Sequence, residues 1–177
     1  NVTARLNKPY IKVFEEEREL TVMLLVDVSG SRHFGTLSQM KRDMMAEVAA
    51  TLAFSTIANN DKVGVIFFSD KIEKFIPAKK GKTHVLHIIR ELLSFEPTSA
   101  GTDIAQELQY FANAQKRHCT AFLISDFIGA GNMYQPLMIA SNRHEVNAIQ
   151  IYDRREAELP NIGLVKFHDA ETGNDLW

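Results

Sequence analysis

The sequence predicts an α/β domain with a mainly parallel sheet, helices on both faces and one antiparallel edge strand. Three observations carry that prediction. Short runs rich in Val, Ile, Leu and Phe recur along the chain, segments with a three-to-four-residue apolar period separate them, and no repeat or long linker divides the 177 residues. Unbroken apolar strands belong to a sheet buried on both faces, and their alternation with helices is the pattern of parallel crossover units. The chain is therefore read as one domain over residues 1–177, with 1–19 as an amino-terminal extension.

In chain order, the first buried strand is Leu20–Val26. The long helix after it is marked by Leu37, Met40, Met44, Val48 and Leu52, with Thr36-Leu37-Ser38-Gln39 resembling a capping box at its start. Val63–Phe68 is the second strand, and the short turn Ser69-Asp70-Lys71 returns the chain into an antiparallel strand over Lys71–Pro77. Val85, Ile88, Ile89 and Leu92 predict a second helix, and Ile104, Leu108 and Phe111 a third. Thr120–Ser125 and Val146–Tyr152 read as strands flanking a helix from Tyr134 to Arg143, whose Pro136 fits the first turn. Leu164–His168 reads as a further strand, and the closing "DAETGNDLW" as a hairpin around Gly173-Asn174.

Composition bounds the function. Lys and Arg total 20 against 22 Asp and Glu, so no global field favours nucleic acid or an anionic membrane. The runs "EEERE" and "KKGK" are read as solvated edges and turns, and Cys119, alone in an apolar run, as inert core. No apolar stretch approaches a membrane span and no signal-peptide pattern opens the chain. A cytoplasmic location is expected, with membrane association through segments outside this stretch left open. The start without Met reads as that of a fragment.

Two buried strands end in aspartate: Asp27 after "MLLV" and Asp126 after "AFLIS". Ligands of open α/β sheets bind beyond the carboxyl ends of the strands, where strand order reverses. If the two strands are neighbours there, ~4.8 Å apart, their carboxylates face one crevice. Thr102 and Asp103, just before a helix, add a third polar element. Two carboxylates in one site repel unless a cation sits between them or one keeps its proton. The oxygen-only set Asp27, Ser29, Ser31, Thr102 and Asp126 suits Mg²⁺ or Mn²⁺, and the alternate spacing of Asp27, Ser29 and Ser31 points three oxygens the same way.

Taken singly, these residues have plainer explanations: turn formers for Ser29 and Ser31, helix caps for Thr102 or Asp103. Other chemistries fit less well. Gly30 to Gly35 has the glycine spacing of a phosphate loop, but Thr36 stands where the lysine belongs. Ser29 replaces the second aspartate of a D-x-D phosphatase, and no G-x-S-x-G elbow surrounds either serine. His84 and His87 are read as a helix-surface pair, and His33 as a solvent-facing loop residue beside the site.

D-x-S-x-S, a distant Thr and a strand-terminal Asp together resemble the metal-ion-dependent adhesion site (MIDAS) of von Willebrand factor A domains. The stretches "YIKVFEEERELTVMLLVDVSGS", "DKVGVIFFSDKIEKFIPAKKGK", "GTDI", "LISDF" and "LPNIGLVKFHDAETG" extend the likeness to the bacterial "domain of unknown function 58" family. The resemblance implies a Rossmann-like, doubly wound domain in which Ser29, Ser31 and Thr102 contact the metal and Asp27 and Asp126 hold it directly or through water. It also implies that "NVTAR" is the interior of a family motif, and that Arg32 departs from the pattern at a position expected to be small or apolar. The function expected is metal-dependent protein recognition without catalysis. A partner supplies an acidic side chain to the metal, and the resemblance alone points to a MoxR-type AAA+ ATPase as the machine it serves. The alternative is a metal-assisted phosphoryl-transfer or hydrolytic enzyme, which would need a general base near metal-bound water.

Overall fold

A computed structural model describes residues 19–29, 35–99, 101–128 and 130–152, and the short strands 167–168 and 175–176; for 35–40 and the two short strands it describes the backbone alone. The chain runs β1 (Thr21–Asp27), α1 (Gly35–Ala58), β2 (Lys62–Phe68), β3 (Ile72–Lys79), α2 (Lys82–Ser94), α3 (Ile104–Ala114), β4 (Thr120–Ser125), α4 (Tyr134–Ser141), β5 (Glu145–Gln150), β6 (Phe167–His168) and β7 (Asp175–Leu176). The main sheet has the order β3-β2-β1-β4-β5. Within it β2, β1, β4 and β5 are parallel, and β3 closes one edge antiparallel to β2. The order reverses between β1 and β4, as a doubly wound sheet requires.

Strand periodicity divides the core into two layers. Val22, Leu24 and Val26 of β1, with Val63, Val65 and Phe67 of β2, face α1 and α2 through Met45, Ala49, Ala53, Val85, Ile88 and Leu92. Met23, Leu25, Ile66 and Phe68 face the other way, onto Ile104, Leu108 and Phe111 of α3 and Ala140 of α4. Successive side chains of a strand point to opposite faces, so burying both faces requires a continuous apolar run. Gly64 is where β2 and β3 crowd: a Cβ there would lie 2.8 Å from the Ala78 backbone nitrogen and from Met23 Sδ.

Several expectations need adjusting. The long helix begins at Gly35, so Thr36 lies inside its first turn rather than at a cap, and it runs on to Ala58. Its buried stripe is Met45, Ala46, Ala49, Ala53 and Thr56, while Met44 is 50% exposed and Val48 and Leu52 are only partly buried. Three of these five residues are alanines, whose small side chains suit close packing on the sheet, and Val48 and Leu52 flank the contact. His84 and His87 are not a surface pair: His84 Nε2 lies 2.9 Å from the Val63 carbonyl oxygen, whereas His87 faces Glu91. The strand expected at 146–152 ends at Gln150, and that expected at 164–168 is described only as Phe167–His168, in a separate antiparallel pair with Asp175–Leu176. Cys119 is buried, and burial pushes its thiol up to about 12, as inert core should be. Of the two charge runs, Glu19 and Lys80 meet at the surface; Glu19 also pairs with Lys62, and these partners hold its carboxyl down at about 2.

Candidate functional site at the carboxyl edge of the sheet

The site grows from the ends of β1 and β4. Val26 pairs with Ile124, so Asp27 leaves the sheet beside Ser125. Val28 N donates to Phe68 O at 2.8 Å, prolonging the β1–β2 ladder past Asp27 and fixing where the chain turns. Asp27 is only 4% exposed, yet both of its oxygens are engaged. Oδ1 accepts from the Ser29 amide at 2.9 Å and from the Ser29 hydroxyl, while Oδ2 accepts from Ser125 Oγ at 2.6 Å. Burial still dominates, pushing this carboxyl up to about 6; the serine donors oppose the rise, and the charge of Asp126 adds to it.

Thr102 comes from the opposite side. Its Oγ1 lies 2.5 Å from Ser29 Oγ, and because Ser29 donates to Asp27 the threonine hydroxyl is the donor in this second bond. The helix-cap reading belongs instead to Asp103, whose carboxylate accepts from Gln106 N at 2.9 Å. Capping by the neighbour leaves Thr102 facing Ser29.

Asp126 completes the rim. Its Oδ1 accepts from Ile128 N at 3.0 Å, and its Oδ2 lies 3.1 Å from Lys41 Nζ of α1. The next residue, Phe127, has φ 61, a left-handed backbone that costs a non-glycine residue on the order of 1 kcal/mol. That turn carries the Phe127 amide back to Ser125 Oγ at 2.9 Å. Ser125 therefore accepts a hydrogen bond on one side and donates one to Asp27 on the other, tying the turn after β4 to the end of β1.

Asp27, Ser29 and Thr102 thus form one hydrogen-bonded chain across 75 residues of sequence, with Asp126 beside it. Ser31, Arg32 and His33 lie outside the described residues. Among the described residues no group of three or more His, Cys, Asp or Glu side chains is arranged to hold a metal ion; at this centre two hydroxyls, of Ser29 and Thr102, join the two carboxylates.

Three contributors were not foreseen. Ser125 was visible only as the residue before a strand-terminal Asp. Lys41 carried a signal, since it lies four residues after Leu37 and four before Met45, a charge on an otherwise apolar stripe. The third, Glu73, acts on the loop that carries Thr102. Its Oε1 accepts from Thr98 N at 3.0 Å, Ser99 N at 3.2 Å and Ser69 Oγ at 2.9 Å. Burial works to raise this carboxyl, but the donors of Thr98 and Ser69 outweigh it and hold it below its usual range. Asp103 N donates to Ser69 O at 2.9 Å, so the loop is pinned on both sides of Thr102. Glu73→Ala is expected to cost about 1–3 kcal/mol of stability and to speed hydrogen exchange at Thr98 and Ser99. Glu73→Gln, which keeps an acceptor oxygen, should preserve most of the protection. Unchanged exchange in Glu73→Ala would show that the loop is held by other means.

Comparison with known proteins places the chain. All of residues 1–177 match the family described as "Protein of unknown function DUF58". An uncharacterized protein of Mycobacterium tuberculosis is 34% identical over 174 residues, covering 97% of this chain and 55% of its own length. The chain therefore spans about half the length of the curated relatives it matches. An aerotolerance-related membrane protein of Bacteroides fragilis superposes with a TM-score of 0.62 at 20% identity, over 89% of this chain and 80% of that one. Proximal thread matrix protein 1 of the mussel byssus, solved with a zinc-occupied MIDAS motif, gives 0.56 at 17% identity, over 76% of this chain and 38% of its own. These likenesses are of fold, and the fold is the von Willebrand factor A type, a mainly parallel five-stranded sheet with one antiparallel edge strand. No helix among the described residues is long and apolar enough to cross a membrane.

Proposed function

The chain belongs to the DUF58 family of proteins of unknown function, and on that premise we propose that it is a divalent-metal-dependent protein-recognition module. The observation that carries the reading is the direct contact of Ser29 with both Asp27 and Thr102 at the switch point of the sheet. The donors fit a small hard cation. All are oxygens, two of the side chains are carboxylates, and Asp27 is buried where its negative charge is costly until something positive approaches. Asp27, Ser29, Ser31, Thr102 and Asp126 would hold Mg²⁺ or Mn²⁺; the zinc-occupied MIDAS of the mussel protein supports the idea that this fold accommodates such a site. When bound, the cation supplies an electrophilic position that neutral hydroxyls leave only partly satisfied.

The chain's own groups shape what meets that position. Ser29 and Thr102 present oxygens without charge, so the site is less anionic than a cage of carboxylates, and an acidic side chain of a partner is not repelled from it. Arg32 and His33 follow the motif closely in sequence, and in this reading they help select which acid docks. The partner proposed is a protein that presents Glu or Asp, in the setting of a MoxR-type AAA+ ATPase that the family resemblance suggests, and the reading includes no turnover. Binding of the ATPase to the full-length protein is therefore expected in Mg²⁺ and lost in excess chelator, with Ser29→Ala and Thr102→Ala each weakening it at least about tenfold. Binding that survives chelation and both substitutions would place recognition on another surface.

A further inference from the structure

The two carboxylates at the carboxyl edge of the sheet pose an electrostatic problem that the fold answers from an unexpected element. Lys41 lies on α1, the helix covering one face of the sheet, and its side chain is 14% exposed. Its ammonium sits 3.1 Å from Asp126 Oδ2, in a contact between residues 85 apart in sequence. Asp126 is itself 23% exposed, so the pair is largely withdrawn from water. A long cationic side chain gives up hydration and rotamer freedom to stay there, and the Asp126 carboxylate offsets part of that cost. The oxygen that Lys41 engages belongs to one of the two acidic groups proposed to hold the metal. An ammonium and a divalent cation seeking the same oxygen oppose each other, because like charges a few ångströms apart repel.

We propose that Lys41 is a tethered counter-ion of the metal site. Without metal its ammonium neutralises Asp126; loading requires it to withdraw, so Lys41 sets the metal concentration at which the module becomes competent. This rests on the metal-site reading and adds a threshold to it. It also links the site to α1, since Lys41 lies four residues before Met45 in the core-facing stripe of that helix. Release of the ammonium returns a positive charge to the rim, close to where an acidic partner would arrive.

The test is titration calorimetry of the purified chain with Mn²⁺, comparing wild type, Lys41→Met and Lys41→Gln, together with thermal melts in chelator and in saturating Mg²⁺. Both variants should bind Mn²⁺ about tenfold more tightly than wild type, the scale of one partly solvated ion pair. Both should melt below wild type in chelator and gain more from Mg²⁺. In wild type, reductive methylation of Lys41 followed by mass spectrometry should run several-fold faster in Mg²⁺ than in chelator, a readout that needs no variant to fold. Equal or weaker Mn²⁺ binding by the variants, or an unchanged methylation rate, would overturn the counter-ion role and leave the metal site standing. A wild-type chain that binds no Mn²⁺ would overturn both.

Discussion

Asp27→Asn is expected to weaken Mn²⁺ or Mg²⁺ binding by at least about a hundredfold, ~2.8 kcal/mol, while leaving the metal-free fold as stable as wild type or more so. The asymmetry follows from what the carboxylate does in each state. Without metal, Asp27 is 4% exposed and burial pushes it up to about 6, so keeping it ionised at neutral pH costs on the order of 3 kcal/mol. Asparagine removes that cost and the repulsion from Asp126. It also keeps the local geometry, because its carbonyl oxygen accepts from the Ser29 amide and its NH₂ can donate to Ser125 Oγ, which then turns its own proton elsewhere. With metal the balance reverses, since the buried charge is what the cation pairs with. Calorimetric titration and a thermal melt in chelator measure the two halves separately. Equal Mn²⁺ affinity for variant and wild type would remove Asp27 from the site.

The second large effect lies away from the site. Glu107, in the first turn of α3, is fully buried and neither carboxyl oxygen has a hydrogen-bond partner. Burial pushes it up to about 8 from an ordinary 4.5. The folded chain therefore keeps a proton that the unfolded chain has already lost between those values. With respect to this group, stability is fully present below about pH 4.5, falls as pH rises, and levels off above about 8, with a slope approaching 1.4 kcal/mol per pH unit. Asp27, also raised, acts in the same direction but at lower pH; His144, lowered chiefly by burial, acts in the opposite direction below its ordinary 6.5. Between pH 7 and 8 both have nearly finished titrating, and Glu107 dominates. Glu107→Leu should abolish the slope there and raise stability at pH 8 by several kcal/mol, since an apolar side chain replaces an unpaired carboxylate. Urea unfolding at half-unit steps of pH checks this. A flat wild-type profile would show that Glu107 is not carrying its proton into the folded state.

Much of the architecture was legible before any coordinates. Asp27 and Asp126 could be placed at strand ends because apolar runs stop abruptly at them, and a doubly wound order puts such ends side by side. The antiparallel edge at β3 followed from a three-residue turn between two short runs. The partition of α1 differs from the expected stripe because the expectation followed the large apolar residues, while three of its five buried residues are alanines and one is Thr56, small side chains whose modest hydropathy marks them less clearly in the sequence. Ser31 belongs to the motif in sequence, Arg32 and His33 follow it, and all three lie outside the described residues.

The sequence by itself determined the layers and the direction of the strands, and it singled out the candidate oxygen donors, because those depend on patterns within one element or on the chemistry of single residues. Only the tertiary structure decided how the donors are coupled: Ser125 bridging Asp27 to the turn at Phe127, Glu73 clamping the Thr102 loop, and Lys41 reaching across from α1 to Asp126. Each of the latter two contacts joins residues on different elements, separated by 25 and 85 positions. Local periodicity says which side of a strand or helix turns inward; which charge it meets there is set by strand order and by how closely the helices pack.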